Sequence, residues 1–454
     1  MMVPRGPLLW AVGLWLVPLN LLAAIDPARA GLCLLAMLPL PLAAAWDAFR
    51  LRGSLAGLEP LPRDPARFTL GKPGTLTLTL RGQTASQRTL RILVELPPQL
   101  SPSLAAADLR LRPGTGDWNV SFPVTPVLRG RSAVGGFTLE TASPLGLWSL
   151  RRSGTLPCGI RVYPGLADGT GKVALPETLS LAGQHLRRQV GKGREFDKLR
   201  EYLHGDDFHD IHWKATAKRG FPVTKTFQAE NTQQVYAILD ASRMSSVPLA
   251  AQTGDAGASS PVGMPSVPME YYLRTALRLG MAAERQGDRY GLMLYAERPF
   301  DFIRAGKGKS HYGRFRDALC GLESRPAGPD YSELFTDLRL RLRKRAMLIF
   351  LCSLDEPALA ESFTEQIALI SRQHLITVVA VKPPGLQPVF QGRPVSGDAE
   401  VYIRMADQIR LRNLEKLAKD LRRQGATFKA WEPSRLSAEA VAQYLDVKNR
   451  RVVA

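Results

Sequence analysis

Two apolar runs near the N-terminus limit what this chain can become. Leu8 to Ile25 reads LLWAVGLWLVPLNLLAAI and Gly31 to Trp46 reads GLCLLAMLPLPLAAAW, with the tight polar turn Asp26-Pro27-Ala28-Arg29 between them. Each run is near the roughly 17 to 25 residues needed to cross a bilayer. Residues 1–52 are therefore expected to form a transmembrane helical hairpin. Pro18, Pro39 and Pro41 interrupt the helices, which membrane spans tolerate, and Trp10, Trp15 and Trp46 suit the interfaces. Arg5 precedes the first run, Arg50 and Arg52 come after the second, and Asp26 cancels Arg29 in the turn. The positive-inside rule then puts both ends on the cytoplasmic side. A cleaved signal peptide is the competing reading, because Arg5, an apolar stretch and Ala28-Arg29-Ala30 imitate its three-part pattern. It leaves the second run unexplained.

At 454 residues the chain has room for two to four domains. With 45% hydrophobic and 22% charged residues it reads as globular. Its net charge of +19 points to anionic partners: a membrane face, nucleic acid or an acidic protein. Cys33, Cys158, Cys320 and Cys352 are far apart and make no CxxC pair. Buried, reduced thiols fit this spacing better than a disulfide framework.

Residues 53–170 carry strand signals. TLTLTLRG, RILVEL and WNVSFPV alternate apolar and polar residues, and Pro and Gly clusters separate them. Short strands at this spacing predict an antiparallel β-sandwich. From 230 to 454 the pattern changes to alternating strand and helix. Strands are predicted at 235–239, 291–295, from Ala346 and at 375–381; helices at 270–285, 331–345, 358–372, 405–424 and near 438–444. Such alternation predicts an α/β, Rossmann-like domain with a mostly parallel sheet, whose ligands lie beyond the carboxyl ends of the strands. Ser246 to Pro268, rich in Pro, Ser, Gly and Ala, reads as a loop after the first strand.

Between the two lies the densest chemistry in the chain, residues 171–229. Its core, GKGREFDKLREYLHGDDFHDIHWKATAKRG from Gly191 to Gly220, holds His204, His209 and His212 among six acids. His209 and His212 share a helical face, yet neither HExxH nor paired CxxC is present, so zinc is the weakest reading. The structural reading has Gly205-Asp206-Asp207 as a turn. Arg194, Arg200, Lys214 and Lys218 would pair with Glu195, Glu201, Asp206 and Asp207, and Trp213 would anchor the network by packing.

Three further segments invite chemistry. Asp240 and Ser242 come after the first strand of the α/β domain, and an acid and a hydroxyl at i and i+2 suit Mg²⁺; two oxygens are too few for an octahedral site, and a capping role competes. RAGKGKS from Arg304 lacks the first glycine of a phosphate loop and reads as a surface hairpin or loop. LRLRLRKR from Leu338 and IRLRNLEKLAKDLRRQG from Ile409 are basic but lack stacking aromatics, so solvated helix faces are favoured over a nucleic-acid groove.

The 191–220 segment resembles the signature of the domain of unknown function 58 family, roughly G-x-EF-x-x-LR-x-Y-x-x-GD-x-x-R-x-I-x-W-x-x-x-A-R. Glu195, Phe196, Leu199, Arg200, Tyr202, Gly205, Asp206, Asp207, Ile211, Trp213 and Ala217 fall on its positions, His212 lies within it, and Lys218 stands for the usual arginine. PVLRGRSAVGGFTLETASPLGLW and IRVYP resemble the segments that precede the signature. The resemblance implies a bacterial inner-membrane protein with a β-sandwich and a C-terminal von Willebrand factor A-like domain. It also implies an association with MoxR-type AAA+ ATPases and a chaperone-like or assembly role. Two departures stand out. His209 occupies a position where arginine is usual. An intact metal-ion-dependent adhesion site reads DxSxS with a remote Thr and Asp, whereas here Met244 replaces the second serine, Thr336 sits inside a predicted helix, and Ser353 stands where aspartate is expected.

Taken together, the expectation is a membrane-anchored platform that binds partner proteins, without cofactor and without nucleic acid. Asp240 and Ser242 would mark its binding edge, as a degenerate metal site. The alternative is an enzyme, hydrolase-like or metal-dependent, using Glu195, Asp206, Asp207 and His212. It lacks a nucleophile-base arrangement in the sequence.

Overall fold

The structure, a computed structural model, describes residues 1–25, 30–62, 65–84, 87–165, 190–204, 206–228, 233–249, 267–383, 386 and 398–453. They divide into a first unit, Met1–Gly165, and a second that holds the remaining described residues.

In the first unit, period-two alternation becomes sheets. One has the order β1 (Met2–Pro4), β11 (Trp148–Thr155), β10 (Gly136–Ala142), β5 (Arg88–Glu95), β7 (Leu104–Leu111). A second runs β2 (Leu58–Pro62), β4 (Gly74–Thr84), β8 (Gly114–Pro126), β6 (Leu100–Ser101). A third joins β3 (Ala66–Thr69), β12 (Gly159–Tyr163) and β9 (Gly130–Ala133). All pairings are antiparallel except β3 with β12. In β4 the leucines Leu76, Leu78 and Leu80 are buried while the intervening threonines are not. They share one core with Leu90, Ile92 and Val94 of β5, Phe122 of β8 and Leu139 of β10. Two apolar sheet faces meeting in one core are what alternating strands require.

The apolar runs are helical: α1 (Gly6–Ala11), a π-helical stretch (Val12–Leu16) and α2 (Val17–Ile25), then α3 (Ala30–Met37) and α4 (Pro39–Leu51). Residues 31–51 are long and apolar enough to cross a membrane; the preceding run, 6–22, is shorter. The turn expected at 26–29 lies outside the described residues. Trp15 Nε1 donates to Ala36 O at 3.1 Å, so the two runs touch. The second run extends five residues past Trp46 because its end is docked. Asp47 and Leu51 are fully buried. Asp47 accepts from Ser143 Oγ at 2.5 Å, Leu145 N at 3.0 Å and Leu147 N at 3.4 Å, and Trp148 Nε1 donates to Ala44 O at 2.9 Å. At the other end β1 pairs with β11, and Arg5 N donates to Leu147 O at 2.9 Å. The helical excursion thus leaves from and returns to the same sheet.

The second unit opens with an antiparallel pair, β13 (Val190–Glu201) and β14 (Val223–Gln228), which encloses a 3-10 turn (Phe208–Asp210) and α5 (Trp213–Arg219). Next in the chain comes a six-stranded sheet, built from β15 (Gln234–Asp240), β16 (Arg289–Tyr295), β17 (Pro299–Gly306), β18 (Met347–Leu351), β19 (Leu375–Val381) and β20 (Ala426–Trp431). Its order is β17-β16-β15-β18-β19-β20. Every pairing is parallel except that of β17 with β16. The helices are α6 (Pro268–Arg285), α7 (Lys309–Cys320), α8 (Tyr331–Arg341), α9 (Pro357–Ser371), α10 (Asp398–Arg423) and α11 (Leu436–Val453).

Successive strand residues serve opposite faces. Val235, Ala237 and Leu239 pack with Tyr272 and Leu273 of α6, Phe315 of α7 and Tyr444 of α11. Tyr236 and Ile238 pack with Leu334 of α8, Phe363 of α9 and Leu417 of α10. Gly291 in β16 is required here: a Cβ would lie 2.4 Å from the Tyr236 ring and 2.8 Å from Ile303 O. All the predicted helices and strands of this region form, most with ends shifted by a few residues; α10 starts seven residues earlier and α11 ends nine residues later than predicted. β17, α7 and β20 were not predicted. At RAGKGKS, expected as a surface hairpin or loop, Arg304 to Gly306 end β17, the second strand of the antiparallel β16–β17 hairpin, Gly308 at φ +92° turns the corner, and Lys309 and Ser310 begin α7. All four cysteines are buried and free, as their spacing suggests. Most of the Ser246–Pro268 loop lies outside the described residues.

Candidate functional site

Counting out from β15, the chain lays β16 and β17 on one side and β18, β19 and β20 on the other. The two directions part between β15 and β18, and the carboxyl ends there are where doubly wound sheets bind ligands. Asp240 ends β15. Its Oδ1 accepts from Ser242 N at 2.8 Å, and Ser242 Oγ accepts from Met244 N at 3.3 Å to cap a short 3-10 helix (Arg243–Ser246). Arg325 N donates to Ala241 O at 2.8 Å and Arg243 N to Ala327 O at 3.0 Å, so the 325–327 loop lies across the strand end.

Around that strand end is a buried polar cluster, larger than the Asp240–Ser242 pair that the sequence offered. Asp240, Ser242 and Ser245 are fully buried, with Tyr272, Tyr295, Tyr331 and Cys352 beside them. Tyr272 Oη bonds Ser353 Oγ at 3.1 Å and accepts from Val381 N at 3.2 Å. Burial lifts the Asp240 carboxyl above the usual carboxylate range; the groups of Ser242, Ser245 and Ser353 act against it. None of them closes a hydrogen bond of ordinary geometry on Asp240 Oδ2, and Ser245 Oγ, Tyr295 Oη and Tyr331 Oη are likewise buried without a partner. Burial also pushes the Tyr295 and Tyr331 phenols and the Cys352 thiol well up. A thiol so placed stays protonated and is no nucleophile. The tyrosines lie in segments whose apolar residues dominate the pattern, so periodicity alone gave no signal for them.

Mg²⁺ needs a near-octahedral set of oxygens; Asp240 and Ser242 each accept a backbone N–H here, and Thr336, on the exposed face of α8, bonds Ser332 O at 2.8 Å. Among the described residues no group of three or more His, Cys, Asp and Glu is placed to hold a metal.

The signature segment is built separately. Asp206 Oδ1 accepts from Arg200 Nη2 at 2.5 Å and Oδ2 from Leu203 N at 3.0 Å. The Leu203 N–H, then Arg200, hold its carboxyl below the usual range against a rise from burial. Asp207 caps the 3-10 turn by accepting from His209 N at 3.2 Å. His212 caps α5: its Nδ1 accepts from Ala215 N at 3.0 Å, while Thr216 Oγ1 accepts from Val223 N at 3.1 Å. Gly220, at φ +77°, closes the helix. Ile211 is buried and bridges to Thr224, and the Tyr202 ring lies 6.0 Å from that of Phe208. Leu199 faces Lys225 in the β13–β14 ladder and Phe196 faces Phe227. Ala217, Lys214 and Lys218 are exposed on α5. Glu195 lies in β13 opposite Gln228, and Gly205 is outside the described residues.

Among the described residues, the Arg200–Asp206 ion pair and the caps at Asp207, His212 and Gly220 lie within the segment, and Thr216, Ile211 and His212 join it to Val223 and Thr224 of β14. The expected packing role of Trp213 is wrong. It stands at the first position of α5, with its neighbour His212 turned back to cap, and is 67% exposed. Asp206 and Asp207 are not brought to Asp240 by any described contact.

A model of the family described as protein of unknown function DUF58 matches residues 198–401. That span runs from the end of β13 to the start of α10. No curated protein matches the chain. Among solved structures, an aerotolerance-related membrane protein from Bacteroides fragilis NCTC 9343, with multiple mutations to serines, is 14% identical over 47% of this chain and 99% of its own, with a TM-score of 0.27. Proximal thread matrix protein 1 from the mussel byssus is 13% identical over 47% of this chain and 46% of its own, with a TM-score of 0.25. A PapD-like domain of human CEP192 is 16% identical over 24% of this chain and 87% of its own, with a TM-score of 0.16.

Proposed function

We propose that this chain is a membrane-anchored assembly factor whose second unit is a von Willebrand factor A-like platform on the cytoplasmic side, working with a MoxR-type AAA+ ATPase. The strand order, with one antiparallel edge strand, is similar to that of such platforms. Both apolar helical runs cross the inner membrane, and the return of residues 1–5 and 51 to one sheet suits a two-span anchor with both ends on one side.

The observation that carries this reading is where the acids and His212 go. Asp206 is taken by Arg200 and a backbone N–H, and Asp207, His212 and Asp240 cap their own turns. Each of these contacts orders the residue's own turn or loop, which is the work of a structural segment, and a binding edge requires no bond-making group.

Crosslinking and co-purification from native membranes tests this, with wild type beside Asp240→Ala and Trp213→Ala. The AAA+ ATPase is expected among the wild-type partners and depleted in both variants, since exposed tryptophans are frequent anchors at interfaces. Unchanged recovery with Asp240→Ala would remove the strand end from the binding surface.

A further inference from the structure

Helix α10 turns its polarity inside out halfway along. In its C-terminal half the side chains facing the sheet are apolar: Leu417 and Leu421 are buried and Leu411 and Leu414 half-buried. In its N-terminal half the inward positions are polar, with Asp407 buried and Arg404 and Gln408 half-buried. Apolar residues stand on the outer side instead, Val401 42%, Tyr402 74%, Met405 53% and Ile409 57% exposed, while Ile403, on the core side, is 58% exposed. A surface helix ordinarily keeps its apolar stripe on the core side, so this reversal needs an external reason.

Topology says where the reversed part sits. β19 and β20 are parallel with α10 between them, so α10 runs back against the strands and starts at their carboxyl edge, the edge that carries Asp240. With 26 residues at about 1.5 Å it is about 39 Å long. The seven residues of β19 at about 3.3 Å span only about 23 Å. About 16 Å of helix, the part with the exposed apolar residues, therefore overshoots the strand ends.

The outward line continues along the axis with a change of chemistry. Val401, Met405, Ile409, Arg412, Lys416, Lys419 and Arg423 succeed one another at steps of four and three residues, which keeps them on one side of an α-helix. The last four are exposed, and Arg423 has a surface partner in Asp420 at 3.6 Å. Apolar and cationic halves thus share a line. A helix that lies on a lipid surface instead puts its charges on the face opposite its apolar stripe; lipid would receive Lys416 and Lys419 head-on. A second copy of this chain, at +19 overall, is repelled by a cationic stripe.

We infer that the outward face of α10 is a docking ridge for a protein partner whose surface offers an apolar groove leading into an acidic strip. Val401, Met405 and Ile409 enter the groove as a helix-in-groove contact, and Arg412, Lys416 and Lys419 lie on the acids. The inference deepens the proposed function by giving its partner a place to bind, and it rests on that reading.

The test measures the affinity of the full chain in nanodiscs for a purified MoxR-type AAA+ ATPase from the same genome. Three variants are compared with wild type: Met405→Glu with Ile409→Glu, Lys416→Glu with Lys419→Glu, and Leu340→Glu, an exposed apolar position on α8. The first is expected to weaken binding about tenfold or more, as buried anchors do. The second should weaken it and flatten its salt dependence, and the third should leave it unchanged. Wild-type binding with the first two variants equally tight overturns the ridge and leaves the proposed function standing. Absence of wild-type binding overturns both. Binding of the wild type, but not of the Met405/Ile409 variant, to added phosphatidylglycerol vesicles, with ATPase affinity equal in both, assigns the ridge to lipid and overturns it as a protein site.

Discussion

Replacing Asp47 by alanine should uncouple the apolar helix from the β unit. The carboxylate is fully buried and accepts from Ser143 Oγ at 2.5 Å, Leu145 N at 3.0 Å and Leu147 N at 3.4 Å. Hydrogen bonds to a charged group contribute about 1.5–3 kcal/mol each. Two of these bonds have good length and the third is weak, so Asp47→Ala costs about 3–6 kcal/mol and leaves buried donors without an acceptor. Asp47→Asn keeps one carbonyl oxygen and should lose roughly half of that. For a unit of this size each kcal/mol lowers Tm by about 2–4 °C, so the alanine variant should unfold about 6–24 °C below wild type. Thermal unfolding in nanodiscs reads this, and hydrogen exchange at Leu145 and Leu147 locates it. A wild-type Tm with unchanged protection at those two amides would refute the reasoning, because it would mean that the helix end is held by something other than its acid.

Two carboxylates should respond to pH with opposite sign. Asp240 has a raised folded pKa, so its contribution favours the fold at low pH and is lost as pH rises from the unfolded carboxylate range through the folded value; Asp240→Asn should flatten that decline, which melting curves from about pH 4 to 8 will show. Asp206 has a lowered pKa, which gives stability above the unfolded value that is lost as pH falls through the folded one, so protection of Leu203 N–H should fade in acid, and at a higher pH in Arg200→Ala. Gly291→Ala should destabilise by about 1–3 kcal/mol through overpacking against Tyr236, measured by denaturant unfolding.

Much of the architecture was readable because burial imposes periodicity. TLTLTLRG could only be a half-buried strand, and VYAIL and AMLIFL only central strands covered on both faces. What periodicity could not reach were elements at the margins. β17 reads PFDFIRAG, half-buried along most of its length as an antiparallel edge, and β20 reads ATFKAW, the opposite edge. Neither offers an apolar run. The site was legible in type more than in arrangement. Asp240 and Ser242 could be placed at a strand end from sequence, but the unpartnered hydroxyls of Tyr295 and Tyr331 belong to residues that look like core. Trp213 failed for a related reason: a large aromatic in a dense motif suggests packing, and only the geometry of a short, fully capped helix leaves it outside. The reversal in α10 was visible as letters, yet a helical wheel without the sheet beside it does not say which side faces in.

On the proposed function, the carboxyl edge that carries Asp240 receives a partner protein. The most direct measurement is the dissociation constant between the full chain in nanodiscs and the MoxR-type ATPase, for wild type and Asp240→Ala, with Asp240→Asn as the variant that preserves shape. The expected result is saturable wild-type binding, weakened about tenfold or more by alanine and much less by asparagine. Equal affinities for all three, in variants shown to be folded by their melting curves, would contradict the claim.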